Sequence, residues 1–586
     1  MDPSPNSSQT ATPTPKPVRI WPQVLLAVTG LGCMAIPTLF GMADSVRFMT
    51  LALGAAAHVL LLATWVLFGS RAPWLDRVLF LILGIVGLVF VFTMQDKSLG
   101  IMVLLFGAPI AAACLALTLL GTQSIPWSTR KWIAYLVWLV ALSLWLLVGT
   151  HGMMASFAPE LRWRWQPNAE ERALLNRNLA LRTEINKPKI ELRSISLKEG
   201  DWPRFRGTDS NGKANDVGLE LSDKTKAKML WKQPVGFAWS SMIVIDGLLF
   251  TQEQRGPMEA VVCLEAATGT EVWAHTYEAR YEDKTQASGT GPRSTPTYYN
   301  GKIYCVGGTG VVTCLSAEDG KLIWKRNLSE DCSTPVAMWG FATSPSLQGD
   351  NCFLLGGGDS SNSKDSICYD SNTGDIRWSA DGKGITYSSP QLVELCNEQQ
   401  VVLSVGPDTV GRSVADGKER WRIKSGGMGN TMLQPIQFGK DQMLIASGEG
   451  DGTSLVDIKH TGESWQATKK WSSTRLRPDF NDVVVIDSMI LGLTKGLLTC
   501  VDSATGDLHW KKFRFGSGQL IALPTQKCVL VLSEAGELSI IRVSTKEPTL
   551  LTTWPGIQGK TWNHPVLVKN RIYCRSAEEM ACYELE

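Results

Sequence analysis

Cys263-Leu-Glu265-Ala-Ala-Thr268-Gly269-Thr-Glu-Val-Trp273 recurs as Cys368-Tyr-Asp370-Ser-Asn-Thr373-Gly374-Asp-Ile-Arg-Trp378 and as Cys500-Val-Asp502-Ser-Ala-Thr505-Gly506-Asp-Leu-His-Trp510. Looser copies run from Cys314 to Trp324 and from Gly411 to Trp421. The copy from Asp457 to Trp471 is irregular: Gly462 is followed by Trp465 one place early, and Trp471 is assigned by spacing. In each copy two short apolar and β-branched runs flank a turn. There Asp or Glu accepts backbone N–H groups, Thr does the same, and Gly takes a positive φ. The unit is a hairpin, and the Trp four residues after the Gly falls on its outgoing strand, where a large ring can cover the gap between neighbouring sheets.

A second hairpin precedes each of these. Ser294-Thr295-Pro296-Thr-Tyr-Tyr-Asn300-Gly301-Lys-Ile-Tyr-Cys305 is one, with its Asn-Gly turn. Two hairpins make a four-stranded blade. Trp231, Trp273, Trp324, Trp378, Trp421, Trp471, Trp510 and Trp554 mark eight outer strands, separated by 42, 51, 54, 43, 50, 39 and 44 residues. Such periods predict an all-β, eight-bladed propeller over residues 200–586. A β-sandwich does not repeat one turn at a near-constant period. The chain stops at Cys582-Tyr-Glu-Leu-Glu586, an inner hairpin strand without its Trp partner, and Met229-Leu-Trp231-Lys supplies that partner from the other end. One blade is therefore shared between the two ends, which closes the ring and removes exposed edges. No Trp-Asp dipeptide occurs, so the repeat is not of the WD type.

The N-terminal quarter is different. Residues 1–19 are dominated at first by Pro, Ser and Thr and read as a disordered cytoplasmic tail. Five apolar segments follow within residues 20–153: Pro22 to Met42, Phe48 to Gly69, Trp74 to Met94, Leu99 to Gly121 and Trp132 to Thr150. Each is close to the ~20 residues a helix needs to cross a bilayer. With the N-terminus inside, the cytoplasmic segments hold Lys16, Arg19, Arg71, Arg77, Arg130 and Lys131 against Arg47 and Lys97 outside. Basic residues prefer cytoplasmic connections, so the expectation is an inner-membrane protein with a cytoplasmic N-terminus and a periplasmic or otherwise extracytoplasmic propeller. His58 is the only ionisable side chain deep in the spans and reads as a helix-packing group rather than a relay. Residues 154–199 read as a juxtamembrane stretch. Arg162-Trp163-Arg164-Trp165 has the composition of an interfacial anchor, an amphipathic helix starts at Asn168, and a linker follows Pro188.

The Asp/Glu-x-x-Thr-Gly-x-x-x-Trp hairpin resembles the tryptophan-docking repeat of pyrroloquinoline-quinone (PQQ) propellers. The opening Asp201-Trp202-Pro203-Arg204-Phe205-Arg206-Gly207 resembles the start of the PQQ-binding-like β-propeller repeat proteins. Apolar spans before such a propeller are also similar to membrane-bound quinoprotein glucose dehydrogenase. The resemblance implies the fold and leaves two functions open. A quinoprotein dehydrogenase needs oxygen ligands for Ca²⁺ beside PQQ and an Asp base. Asp359, Asp408, Asp451 and Asp482 are placed in loops, where Asp is usually turn chemistry. There is no adjacent Cys-Cys pair, no Cys-x-x-Cys-His and no long insertion between blades. The expectation is therefore a non-catalytic scaffold without cofactor, binding extracytoplasmic proteins through loops on a rigid frame.

A third reading places a sugar or other small ligand in the central funnel. Its candidate residues begin the innermost strands: Trp239, Arg293, Tyr387, Asn430, Asn481, Asp482, Trp562, Asn563 and His564. The 57 basic and 55 acidic residues, net charge +2, leave no electrostatic footprint for nucleic acid. His residues are isolated and no metal motif occurs. The propeller holds 11 cysteines, awkward for an oxidising compartment. Cys263, Cys314, Cys368, Cys500 and Cys582 share one repeat position, which marks them as core fillers.

Overall fold

A computed structural model describes residues 18–39, 44–154, 158–183, 193–214, 218, 220–283, 288–358, 360, 362–384, 386–425, 432–448 and 450–586. The chain divides into two compact units, 1–166 and 167–586.

The first unit is helical. It contains α1 (Trp21–Leu39), α2 (Asp44–Thr64, running on through a π-turn to Gly69), α3 (Trp74–Met94), α4 (Ala108–Gly121, entered by a π-turn from Val103) and α5 (Trp127–Ser143, with a 3₁₀ turn to Leu147). Apolar side chains facing outward demand a backbone that satisfies its own polar groups, and a helix does so. Among the described residues four helical runs are long and apolar enough to cross a membrane: Met49–Gly69, Trp74–Met94, Val103–Gly121 and Trp127–Leu147. The expected count of five is thus four plus one shorter segment, because the apolar stretch of α1 covers only Trp21–Ile36.

Five of the six basic residues assigned inside gather at one end of the bundle. Arg19 N–H bonds Ser70 O, next to Arg71, and Lys131 Nζ lies 2.8 Å from Asp76, beside Arg77. Arg130 donates to Thr122 Oγ1 near the end of α4. Lys16 lies outside the described residues. His58 is buried against Gly30, where a Cβ would fall 2.7 Å from its Nδ1, as expected of a packing group.

The last apolar segment begins five residues earlier than its composition suggests and ends earlier too. Val148–Met153 is already a strand, paired antiparallel with Pro159–Trp163. Thr150 Oγ1 donates to Glu160 O across that hairpin.

In the second unit eight four-stranded antiparallel sheets follow one another. Blade 1 comprises Ile243–Ile245, Leu248–Arg255, Met258–Glu265 and Glu271–Glu278. Blades 2 to 7 span residues 297–327, 346–381, 391–424, 436–473, 484–514 and 519–555. Blade 8 takes Val566–Val568, Arg571–Arg575 and Glu579–Leu585 from the C-terminus and Ala227–Pro234 from the other side of the ring, with Trp231 opposite Cys582. The expected closure is what the structure has. Inner strands are the most buried and outer ones carry the alternating exposure of a half-solvated strand.

All eight repeat tryptophans lie on outermost strands. The indole N–H groups of Trp231, Trp273, Trp324, Trp378, Trp471 and Trp510 donate to a carbonyl in the turn of the next blade, at Ala266, Ala317, Ser371, Val414, Ser503 and Ser544. The ring of Trp231 lies flat against Gly269. A Cβ there would come within 2.9 Å of it, so Gly is required for this contact as well as for its φ of 74°.

The two exceptions follow from the turns they face. Blade 5 pairs to the tip, Thr461 opposite Ser464, and presents no carbonyl, so Trp421 donates to Gln400 Oε1 of its own blade. In blade 8 the third strand, Glu579–Leu585, and the fourth, Ala227–Pro234, come from distant parts of the chain and no turn joins them, and Trp554 Nε1 is buried without a partner among the described residues.

Two further segments complete this unit. Helix α6 (Ala169–Thr183) opens with a reciprocal cap in which Glu171 N–H bonds Asn168 Oδ1 and Asn168 N–H bonds Glu171 Oε2, both at 2.8 Å. It bridges blades 8 and 1: Arg172 pairs with Glu578, Glu170 with Arg280 and the Gly256 N–H, and Arg177 with Glu271 at 2.5 Å. The expected linker is likewise docked where it is described: Ile195 is buried and its carbonyl accepts from Tyr298 Oη.

Candidate functional site

Residues 201–214 enter the ring and bond to inner strands in succession. Trp202 exchanges two backbone bonds with Val244 of blade 1, and Pro203 O accepts from Tyr298 N–H of blade 2. Ala214 N–H and Gly212 O pair with Ala522 of blade 7. Phe205 meets His564 of blade 8 edge-on at 4.8 Å. Arg206, 2% exposed and at φ 63°, reaches Val483 O at 2.6 Å beside blade 6. The channel is crossed by the chain's own backbone. That is the work of the Asp-Trp-Pro-Arg-Phe-Arg-Gly motif.

Above this crossing lie the starts of the inner strands, where the candidate residues sit. Asn430 and Asp359 lie outside the described residues. Asp482 faces Arg206 Nε at 3.6 Å and His564 Nε2 at 3.7 Å, and its other oxygen accepts from Gln434 N–H at 2.7 Å. Burial raises the Asp482 carboxyl and Arg206 lowers it, with the net direction upward. Burial, then Arg206, drives the His564 imidazole well below its ordinary value, so it is neutral. Asn481 Nδ2 donates to Gly518 O of blade 7, and Asn563 Nδ2 to Ala238 O and Ser240 O on the approach to blade 1. These side chains staple one blade to the next.

The aromatic candidates form a layer over them. Trp562 packs on Trp239 at 4.8 Å and on Phe480 at 5.0 Å, while Lys560 Nζ lies 4.3 Å from the Trp562 ring centre. Trp562 Nε1 donates to Glu534 and Trp239 Nε1 to Ser288 O. Arg293 stacks over Tyr281 at 4.1 Å and donates to Gly289 O, Gly291 O and Ser288 Oγ, so it braces the loop that carries it. Its burial pushes the guanidinium down to about 10. Tyr387 contacts Trp339, whose neighbour Met338 is 60% exposed. Eight of the nine candidates lie among the described residues, and most of their hydrogen bonds are to the chain itself. The structure adds Arg206, Phe205, Phe480, Lys560 and Glu534; only the two residues of the opening motif carried a sequence signal.

The chemistry of a Ca²⁺–quinone pair does not fit this arrangement. Asp482 faces an arginine, and Asp408 is the first residue of a strand, not a loop, paired with Arg422 at 2.9 Å. Asp451 is paired with Lys469. Among the described residues no three His, Cys, Asp or Glu side chains converge as metal ligands.

Repeat and ring define a PQQ-like β-propeller preceded by apolar helices. Residues 257–512, from blade 1 to blade 6, match the family model described as outer membrane protein assembly factor BamB. Among solved structures, BamB from Moraxella catarrhalis is similar at 11% identity and TM-score 0.44, over 61% of this chain and 98% of its own. The quinohemoprotein alcohol dehydrogenase ADHIIG from Pseudomonas putida HK5 gives 12% and 0.49, over 66% and 80%. That from Comamonas testosteroni gives 11% and 0.48, over 68% and 82%. Curated proteins gave no match.

Proposed function

We propose that the chain is a non-catalytic binding propeller. In this reading it is held at the cytoplasmic membrane with its N-terminus inside, and its loops meet proteins on the extracytoplasmic side. The observation that supports this is how the inner-strand starts are used: the Nδ2 groups of Asn481 and Asn563 bond to adjacent blades, and residues 201–214 bond to the innermost strands of blades 1, 2 and 7. Recognition then falls to the loops on the rigid frame, among which the Pro335 to Trp339 segment carries exposed Val336 and Met338.

The test uses the full chain. A photoreactive residue at Met338 is expected to trap discrete protein adducts in cells, and one at the outer-strand residue Leu508 is not. The same purified chain, incubated with PQQ and Ca²⁺, is expected to lose the quinone absorbance on gel filtration. Stoichiometric retention with dye reduction by an alcohol or sugar overturns the proposal.

A further inference from the structure

The hairpin that follows α5 is bonded directly to the ends of two spans. Arg164 Nη1 donates to Met94 O, the last residue of α3, at 3.1 Å, and its backbone N–H to Leu147 O at 2.8 Å. Arg162 pairs with Asp96 at 3.3 Å, and Thr150 N–H bonds Ser98 Oγ. Arg162 is thereby turned inward onto the α3–α4 connection, while Arg164, exposed, bonds carbonyls at two span ends. Outward the hairpin and its exit present Leu161, Trp163 and Trp165, 50%, 49% and 67% exposed, with the two indoles stacked at 5.0 Å and 10°. Large stacked rings at half exposure, locked to helix ends, are unfavourable in water and unexplained by packing.

The opposite end of the bundle supplies the comparison. There Trp21, Trp74 and Trp132, at or near the starts of α1, α3 and α5, are exposed, with Arg77 and Lys131 against two of the rings. Those are the positions of an interfacial aromatic belt. The 21 residues of α3 carry the chain about 31 Å from that belt to Met94, close to the hydrocarbon thickness of a bilayer. At this far end the indole of the last span, Trp145, is buried against other side chains and does not face outward.

We propose that the paired strands Val148–Met153 and Pro159–Trp163, with Trp165, form the second interfacial belt. Leu161, Trp163 and Trp165 lie at the boundary between phospholipid headgroups and acyl chains and fix the depth of the helical unit. This rests on reading the apolar helices as membrane spans. A two-stranded sheet has free edges and is excluded from hydrocarbon, so the boundary layer is as deep as it can go. The contact is made by the apolar side chains, so it is tested on an uncharged phosphatidylcholine surface.

The full chain in phosphatidylcholine nanodiscs is photolabelled with two lipids, one carrying a diazirine beside the ester and one at the chain terminus, and adducts are located by tandem mass spectrometry. The shallow probe is expected on Leu161, Trp163 and Trp165, and the deep probe on the exposed α3 residues Ile85, Val86 and Val89. Changing Trp163 and Trp165 to Ser is expected to reduce shallow labelling of Leu161 severalfold. Deep labelling of α3 with none on the hairpin overturns the inference while leaving the spans intact. Equal labelling of the hairpin by the deep probe overturns it as well, and α3 free of either probe removes the membrane reading and this inference together.

Discussion

A single indole N–H separates the repeat tryptophans into two kinds. Trp273 and Trp510 each donate to a turn carbonyl of the next blade, whereas Trp554 faces no turn. Trp→Phe is therefore expected to cost about 1 kcal/mol more at 273 or 510 than at 554, read from urea midpoints, since a hydrogen bond contributes about that much net and Trp554 has none to lose. The shared turn motif made the places of the eight rings legible; which indole N–H meets a carbonyl was not, because that depends on the turn the next blade presents. Glu259 had no signal at all, being one carboxylate in an apolar strand. It is 1% exposed, accepts from Gly308 N–H and Tyr277 Oη, and burial raises it from 4.5 to about 6 against those two hydrogen bonds. Between those values the folded protein holds a proton that the unfolded chain has released. Stability contributed by this group is thus present below about pH 4.5, falls as pH rises to about 6, and is level above, a change of about 2 kcal/mol. Glu259→Gln is expected to remove that part of the slope in urea titrations at pH 4.5 and 7; an unchanged slope assigns it elsewhere.

At the scale of elements, blade 8 is the one built from both sides of the ring. Deleting Met229 to Gln233 bares the edge of Glu579–Leu585, and deleting Cys582 to Glu586 strips the strand that Ala227–Pro234 pairs with. Either lesion is expected to lower the thermal midpoint, and the two together little further, because both disable one sheet. Additive losses would mean that the ends serve separate blades. This closure was legible because a strand with no partner at one terminus matched a lone Trp strand near the other. The placement of residues 201–214 was not, since that stretch has neither alternation nor a turn repeat and its place is set by residues in or beside the innermost strands of five blades. The funnel candidates were located by their place before each inner strand, but their roles depended on which carbonyl lay opposite, and periodicity carries no such information.

For the whole molecule, the arrangement of charge and apolar helices makes its own prediction. An alkaline phosphatase fusion after Arg164 is expected to be active and one between Gly121 and Arg130 inactive; the reverse pattern puts the propeller in the cytoplasm. The thiols bear on the same point. All 11 propeller cysteines are free, ten of them buried, and the register sets Cys305 opposite Thr313 and Cys574 opposite Ala581 rather than opposite another thiol. The fold therefore draws nothing from disulfides on either side of a membrane. The shared blade also sets a timetable. Ala227–Pro234 leaves the ribosome about 345 residues before the strand it pairs with, so at 5–20 residues per second it waits about 17–70 s with a free edge. Seven blades can form in order behind it while the ring stays open, and the moment of closure is fixed by the arrival of Glu579–Leu585.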